Sequence, residues 1–400
     1  ALSHVSPQAI AHNLDKSTSS QSQFIQKHNL NTNSTTYQLL YSPAVLLAVN
    51  PSQNRGIDGM SDMTEIIRVS NATELTSALN AATGGERIVL AAGEYGEVTL
   101  TRHEFSSSVT ITSENLEDPA TFSRLSINYS SNLTIDGVFV EFVPDEDTVH
   151  FDRAVVVANS DNIKIVNSVI EGGPSVNGVP YESETLDWSG NVLGLPTARG
   201  VAFADSSNIT ISNCEISNFA SGINFGNIDG LTISDNEIHD LRRSPMAGSN
   251  VQNVLIENNY SHTSTPWSLG GSGDHGDMIH LWTKEGDTDG PDSNIVIRGN
   301  YHDQGDGAAL VGIFLQDKSG FGYENVLIEE NVIYNGDAQA IRLAQTTNGV
   351  IRNNTFVSTS DDPSKSPAIN VAWDVTNTVI ENNIVGAINY SSEMTAETRA

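Results

Sequence analysis

The sequence predicts an all-β chain wound as a parallel β-helix, and three observations carry that expectation. A short phrase recurs: Asn, an apolar residue, any residue, Ile, two more residues, then a closing Asn. It reads Asn253-Val254-Leu255-Ile256-Glu257-Asn258-Asn259 and Asn294-Ile295-Val296-Ile297-Arg298-Gly299-Asn300, and returns from Asn325, Asn348 and Asn377. The closing residues keep a period, with Asn236 and Asn259, like Asn331 and Asn354, 23 residues apart, and longer gaps where rungs carry insertions. Each unit also holds short strands rich in Ile, Val and Thr between Asn, Asp, Gly and Ser turns, without the Leu pattern or helical face of other solenoids of similar period. Asn side chains stacked at such turns can bond their own kind along the axis, which offsets the cost of burying their polar ends. The glycosylation sequons at Asn208 and Asn259 are then by-products of the ladder, and Cys214, the single cysteine, takes a ladder position as a packed thiol.

The elements follow in order. Residues 1–59 are rich in Ser, Asn and Gln and lack the phrase; they are expected to be a leader, a pro-segment or an appended extension, with Met60 as a natural start. Residues 60–390 form the β-helix and 391–400 a tail. From Ile66 to Tyr95 the pattern is strand, helix, strand. Asn71 and Glu74 make a capping box, Leu75, Ala78, Leu79 and Ala82 make one apolar face, and Gly84-Gly85 ends the helix. Such a helix covers the first open edge of a solenoid. The run Val69 to Leu75, then Ala78-Leu79, then Gly84 to Tyr95, resembles the entry to right-handed parallel β-helix polysaccharide lyases, the alginate lyase and chondroitinase B group with the related mannuronan C5-epimerases. The resemblance implies a right-handed helix acting on an acidic, uronate-containing polysaccharide, alginate-like first, with Lys and Arg in the chemistry. The epimerases' Asp-Pro-His phrase is replaced here by Met278-Ile279-His280-Leu281-Trp282.

In each rung a second strand precedes the Asn phrase, and alternation sends Ile279, Leu281, Ile313, Leu315, Ile341 and Leu343 inward. The outward column reads Ala202, Asn224, His280, Phe314, Arg342, Asn370, with Trp282 and Gln316 beside it. His280 and Arg342 then stand about 10 Å apart on a flat face. Large insertions flank this stretch, as binding loops of solenoids do. They bring Trp267, the cluster Asp274-His275-Gly276-Asp277, and Lys284 to the ends of the His280 strand.

β-Elimination needs a neutraliser for the uronate carboxylate, a base for the C5 proton and an acid for the leaving oxygen. The expected assignments are Arg342 as neutraliser or acid, His280 and His275 as base or acid, and Lys284 and Asp277 alongside. Trp282, Trp267, Gln316, Asn224, Asn370 and Lys318 are expected to bind substrate. Asp287, Asp289 and Asp292 are expected to offer oxygens to a Ca2+ ion. Acidic residues outnumber basic ones 49 to 19, a formal charge of −30, which disfavours nucleic acid and anionic membranes. No apolar run is long enough to cross a bilayer. A secreted monomer is expected. The other classes open at this point are a C5-epimerase using the same proton abstraction, a glycoside hydrolase pairing Asp274 with Asp277 or Asp317, and a non-catalytic carbohydrate-binding solenoid.

Overall fold

The computed structural model describes residues 65–176, 193–269, 272–283 and 290–391. Lys284, Asp287 and Asp289 lie outside these residues, as does the segment before Met60.

The chain enters through the strand Ile66–Val69, the helix Ala72–Ala81 and the strands Arg87–Leu90 and Gly93–Thr101. The expected capping box forms: Asn71 Oδ1 accepts the Glu74 N–H at 3.0 Å, and Glu74 Oε2 accepts the Ser70 N–H at 2.8 Å. Leu75, Ala78 and Leu79 are buried over the first rungs. The helix stops at Ala81 rather than at Gly84, because Ala82 is already extended while its N–H still bonds Ala78 O.

Every rung then contributes strands to three parallel ladders. One ladder carries Arg153–Ala158, the first part of Thr197–Ser212, Phe219–Ser234 and Met246–Glu257, then Asp277–Trp282, Val311–Gln316, Gln339–Leu343, Ala368–Val371 and Ala387–Tyr390. A second takes the later parts of the long strands and continues through Asp292–Arg298, Tyr323–Glu329, Val350–Arg352 and Val379–Glu381. The third runs from Phe139–Glu141 and Val169–Glu171 through Glu237–His239, Tyr260–His262 and Tyr301–Asp303 to Thr355–Val357. Alternation buries Ile223, Ile279, Ile313, Ile341 and Ile369 in one inner column and Ile211, Ile233, Ile256, Ile297 and Ile328 in another. Each Ile contributes roughly 1.5–3 kcal/mol on burial.

The repeated phrase makes two Asn ladders. Its opening residues Asn253, Asn294, Asn325, Asn348 and Asn377 have φ between 46° and 58° and pass one amide bond to the next along the surface. Its closing residues Asn236, Asn259, Asn300, Asn331, Asn354 and Asn383 form the inner ladder. There each Oδ1 accepts both the backbone N–H and the Nδ2–H of the preceding Asn, at 2.9–3.1 Å, and the other Nδ2 hydrogen goes to an Ile carbonyl. No amide group in this row is left unbonded, so each bond contributes about 1 kcal/mol instead of costing a desolvation penalty. Cys214 holds the ladder place before Asn236, its N–H donating to Asn236 Oδ1 at 3.0 Å; burial pushes its thiol up to about 12. Asn259 is 1 % exposed, which withdraws its sequon from modification. Gly299 substitutes for Asn at a left-handed turn, with φ 62°.

Candidate active site

The strand Asp277–Trp282 places His280 in an outward column whose register is Ala202, Asn224, Ala247, His280, Phe314, Arg342, Asn370. The sequence column lacked one member, Ala247, because Pro245-Met246-Ala247-Gly248 carries no β-branched residue to mark a strand. The spacing around His280 is as expected. Its ring stacks on Phe314 at 5.1 Å and 3°, and the Arg342 guanidinium lies over the same ring at 5.2 Å. A Cβ at Gly312, in the Phe314 strand, would meet the Ala340 carbonyl of the next rung, so Gly holds these rungs close.

At the head of the strand Asp277 is 1 % exposed, and its Oδ2 meets His275 Nδ1 at 3.0 Å and His280 Nδ1 at 3.2 Å. Its N–H donates to Ser244 Oγ on the preceding rung. Burial, opposed by His275 and aided by Asp337, raises the Asp277 carboxyl to about 6. Burial lowers His280 to about 4, with His275 and Lys318 acting in the same direction. At neutral pH the pair is therefore a carboxylate and a neutral imidazole. The carboxylate accepts a hydrogen bond from Nδ1–H, which leaves the Nε2 lone pair free. Gln316, opposite Trp282 in the register, is near enough to favour the charged ring, but no aligned hydrogen bond reaches Nε2. His280 Nε2, Asp277 Oδ1 and Asn224 Oδ1 are all buried on this face without hydrogen-bond partners. Buried polar atoms left unbonded in this way are uncommon in a folded protein.

Other expected residues separate into two groups. Trp282 packs at 5.2 Å from His280, Lys318 is exposed nearby, His275 is exposed over Asp277, and Asn370 follows Arg342 in the column, its Oδ1 accepting from Asn389 Nδ2. Arg342 stands two rungs from His280, as expected, with the Phe314 ring between them. Asp274 is corrected as a free acid. Its carboxylate binds Arg242 Nε at 2.6 Å and Arg243 Nε at 2.7 Å and accepts the Trp267 N–H, so it anchors the loop carrying that half-buried Trp. Asp317 accepts the Thr283 hydroxyl and the Ser319 and Gly320 N–H groups, which makes it a turn cap. Asp292 is turned into the fold, 2 % exposed, where it accepts the Val251 N–H, so it offers no outward oxygen to a calcium ion.

Sequence reasoning missed Asp337, which enters the site only through the rung that stacks it near Asp277. It also missed a ladder on another face. Glu237, His239 and His262 bring ligand atoms within 4.8 Å of one another. The two rings are stacked at 4.7 Å and 2°, so their lone pairs run parallel instead of converging on an ion. His239 lies between Glu215, at 3.4 Å, and Asp240, at 2.7 Å. Burial alone would lower it, but these carboxylates outweigh burial and raise it to about 9. Its unfolded value is near 6.5. This ion-pair ladder therefore stabilises the fold in full below about pH 6.5 and loses its contribution as pH rises through about 9. Urea midpoints of wild type minus His239→Gln should show a difference at pH 6 that shrinks by pH 9.5; a constant difference would remove the linkage.

Residues 123–273 and 199–385 match a family model described as "Right handed beta helix region". The chain belongs to the right-handed β-helix family. No curated protein sequence matches this member. Among solved structures, the β-helix is similar to DFA-IIIase from Arthrobacter chlorophenolicus A6 in complex with GF2, at 12% identity, TM-score 0.51, covering 82% of this chain and 92% of that one. It is similar to PfbA, a surface adhesin of Streptococcus pneumoniae, at 14% identity, TM-score 0.50, covering 80% and 87%. An alginate lyase from Paenibacillus sp. str. FPU-7 matches at 18% identity, TM-score 0.46, covering 81% and 99%. At these identities the likeness shows the fold alone. No helix among the described residues is long and apolar enough to cross a membrane.

Proposed function

We propose that this β-helix is a secreted polysaccharide lyase that cleaves a uronate-containing polymer, alginate-like first, by β-elimination. The observation that carries the reading is the Asp277–His280 pair: a neutral imidazole fixed by a buried carboxylate, its Nε2 buried and unbonded, on an open face lined by Trp282 and by cations. His280 Nε2 takes the C5 proton. Lys318 stands against the adjacent C6 carboxylate, and His275 donates a proton to the C4 oxygen as the C4–O bond breaks, leaving an unsaturated uronate. Arg342 holds the carboxylate of the next sugar, and Trp282 offers a stacking surface. A C5-epimerase would use the same abstraction and return the proton to the opposite face of the ring.

Hydrolysis is the second reading, kept by one observation, the proximity of Asp337 to Asp277. Asp274 and Asp317 do not serve it, since both carboxylates are bonded into the fold. A product assay separates the readings. Elimination should generate near-ultraviolet absorbance from polyuronates and none from the same polymer after its carboxyls are reduced to alcohols, because the carboxyl acidifies the C5 proton. Cleavage of the reduced polymer without that absorbance would replace elimination with hydrolysis. A chelator arm tests calcium, which Asp287 and Asp289 would hold.

A further inference from the structure

The chain carries 49 acidic and 19 basic residues, yet cations collect along one edge of the site ladder. The position occupied by Asp277 at the head of the catalytic strand is occupied, on successive earlier rungs, by Ser244, Ser221, Arg199 and Arg153; the register pairs Arg153 with Arg199 and Arg199 with Ser221. Arg243 comes from the turn just before Ser244, its Nε held by Asp274 and its side chain 34% exposed. Among the described residues no carboxylate forms an ion pair with Arg153 or Arg199. Arg199 is partly buried, and desolvation together with Arg153 and Arg243 lowers its pKa. A partly buried guanidinium with Arg153 beside it in the register and Arg243 near it is an arrangement that an anion relieves. The intervening positions carry only the small side chains of Ser221 and Ser244.

We propose that Arg153 and Arg199, with Arg243 beside them, form a distal subsite for a substrate carboxylate, three rungs or about 14 Å from the catalytic pair. The proposal rests on the polyuronate reading above and adds a length requirement. One rung advances about as far as one pyranose, so a chain must extend roughly three sugars beyond the reacting unit to engage the arginines. With Arg342 two rungs away on the other side of His280, the face becomes a cationic track on an acidic protein, which is how an anionic polymer can be held against a charge of −30.

The test uses Arg199→Ala, Arg199→Lys and Arg153→Ala in the full chain, with polyuronate, uronate trimers and octamers, and a sulfated glycan as substrates and as calorimetric ligands. For polymer and octamer, Arg199→Ala should raise KM and the dissociation constant about tenfold, the effect of one lost charge-assisted contact, with kcat unchanged. Trimers, too short to span both places, should be indifferent, and Arg199→Lys should recover part of the loss. The salt dependence of binding should weaken in the alanine variants. Unchanged KM and binding for octamers in both alanine variants, with wild type active, would overturn the subsite alone and leave the lyase reading standing. Equal losses for trimer and octamer would overturn it as well, by placing the arginines at the reacting sugar. If wild type binds the sulfated glycan through these arginines and no polyuronate, the carboxylate assignment falls together with the proposed function.

Discussion

Replacing His280 by alanine is expected to lower turnover on the preferred polyuronate by about 10²–10⁴-fold, the usual contribution of a positioned acid–base group. The fold should survive, because the ring faces outward, although it loses its stack on Phe314, its packing against Trp282 and its contact with the Asp277 carboxylate. Asp277→Asn should act through His280: the amide cannot fix the same tautomer, so kcat falls while KM for the polymer stays near wild type. The pH profile carries the same logic. Asp277 must be ionised to hold the Nδ1 proton, and burial raises its carboxyl to about 6, so activity should fall as pH drops through about 6. Steady-state rates from pH 4 to 8 with thermal unfolding of each variant check this, and full activity in His280→Ala would move the chemistry to another face.

The largest loss of stability should come from Asp274→Ala. Arg242 is fully buried, and Asp274, itself 2% exposed, neutralises it together with the partly exposed Arg243. Removing the carboxylate takes the counter-charge from a buried guanidinium, a change that costs about 3–5 kcal/mol. Denaturant titration should show that loss, and the double variant Asp274→Leu with Arg242→Met should regain much of it, because the charge leaves with its partner. A catalytic acid would behave oppositely, losing activity at unchanged stability.

The fold was legible because its signal is repetition. An Asn at the same place in successive rungs is informative even when each copy is weak, and the inner ladder from Asn236 to Asn383 bears this out bond by bond. His280, Phe314 and Arg342 were placed in one column for the same reason, since alternation within a strand and stacking between rungs are both local rules. What escaped depends on burial and on partners distant in sequence. Nothing near Asp274 shows that Arg242, 32 residues earlier, consumes its charge. The Arg153–Arg199 pairing spans an insertion that breaks the period, and the Ala247 rung lacks strand-forming residues altogether.

The Phe314 ring between His280 and Arg342 also bears on how such a protein diverges over evolutionary time. Those two groups are spaced by backbone repeats, so the interval between them is inherited from the architecture and survives whatever happens to the connecting segments. The insertion around Trp267 lies outside that repeat and can exchange residues, other than Asp274 and His275, without altering the interval. Descendants of one scaffold can therefore swap the polymer they accept while retaining the chemistry, or lose His280 by a single substitution and persist as binders. Fold likeness in this family is accordingly a record of common construction, and under the proposed function occupation of the His280 and Asp277 positions is the better marker of shared activity.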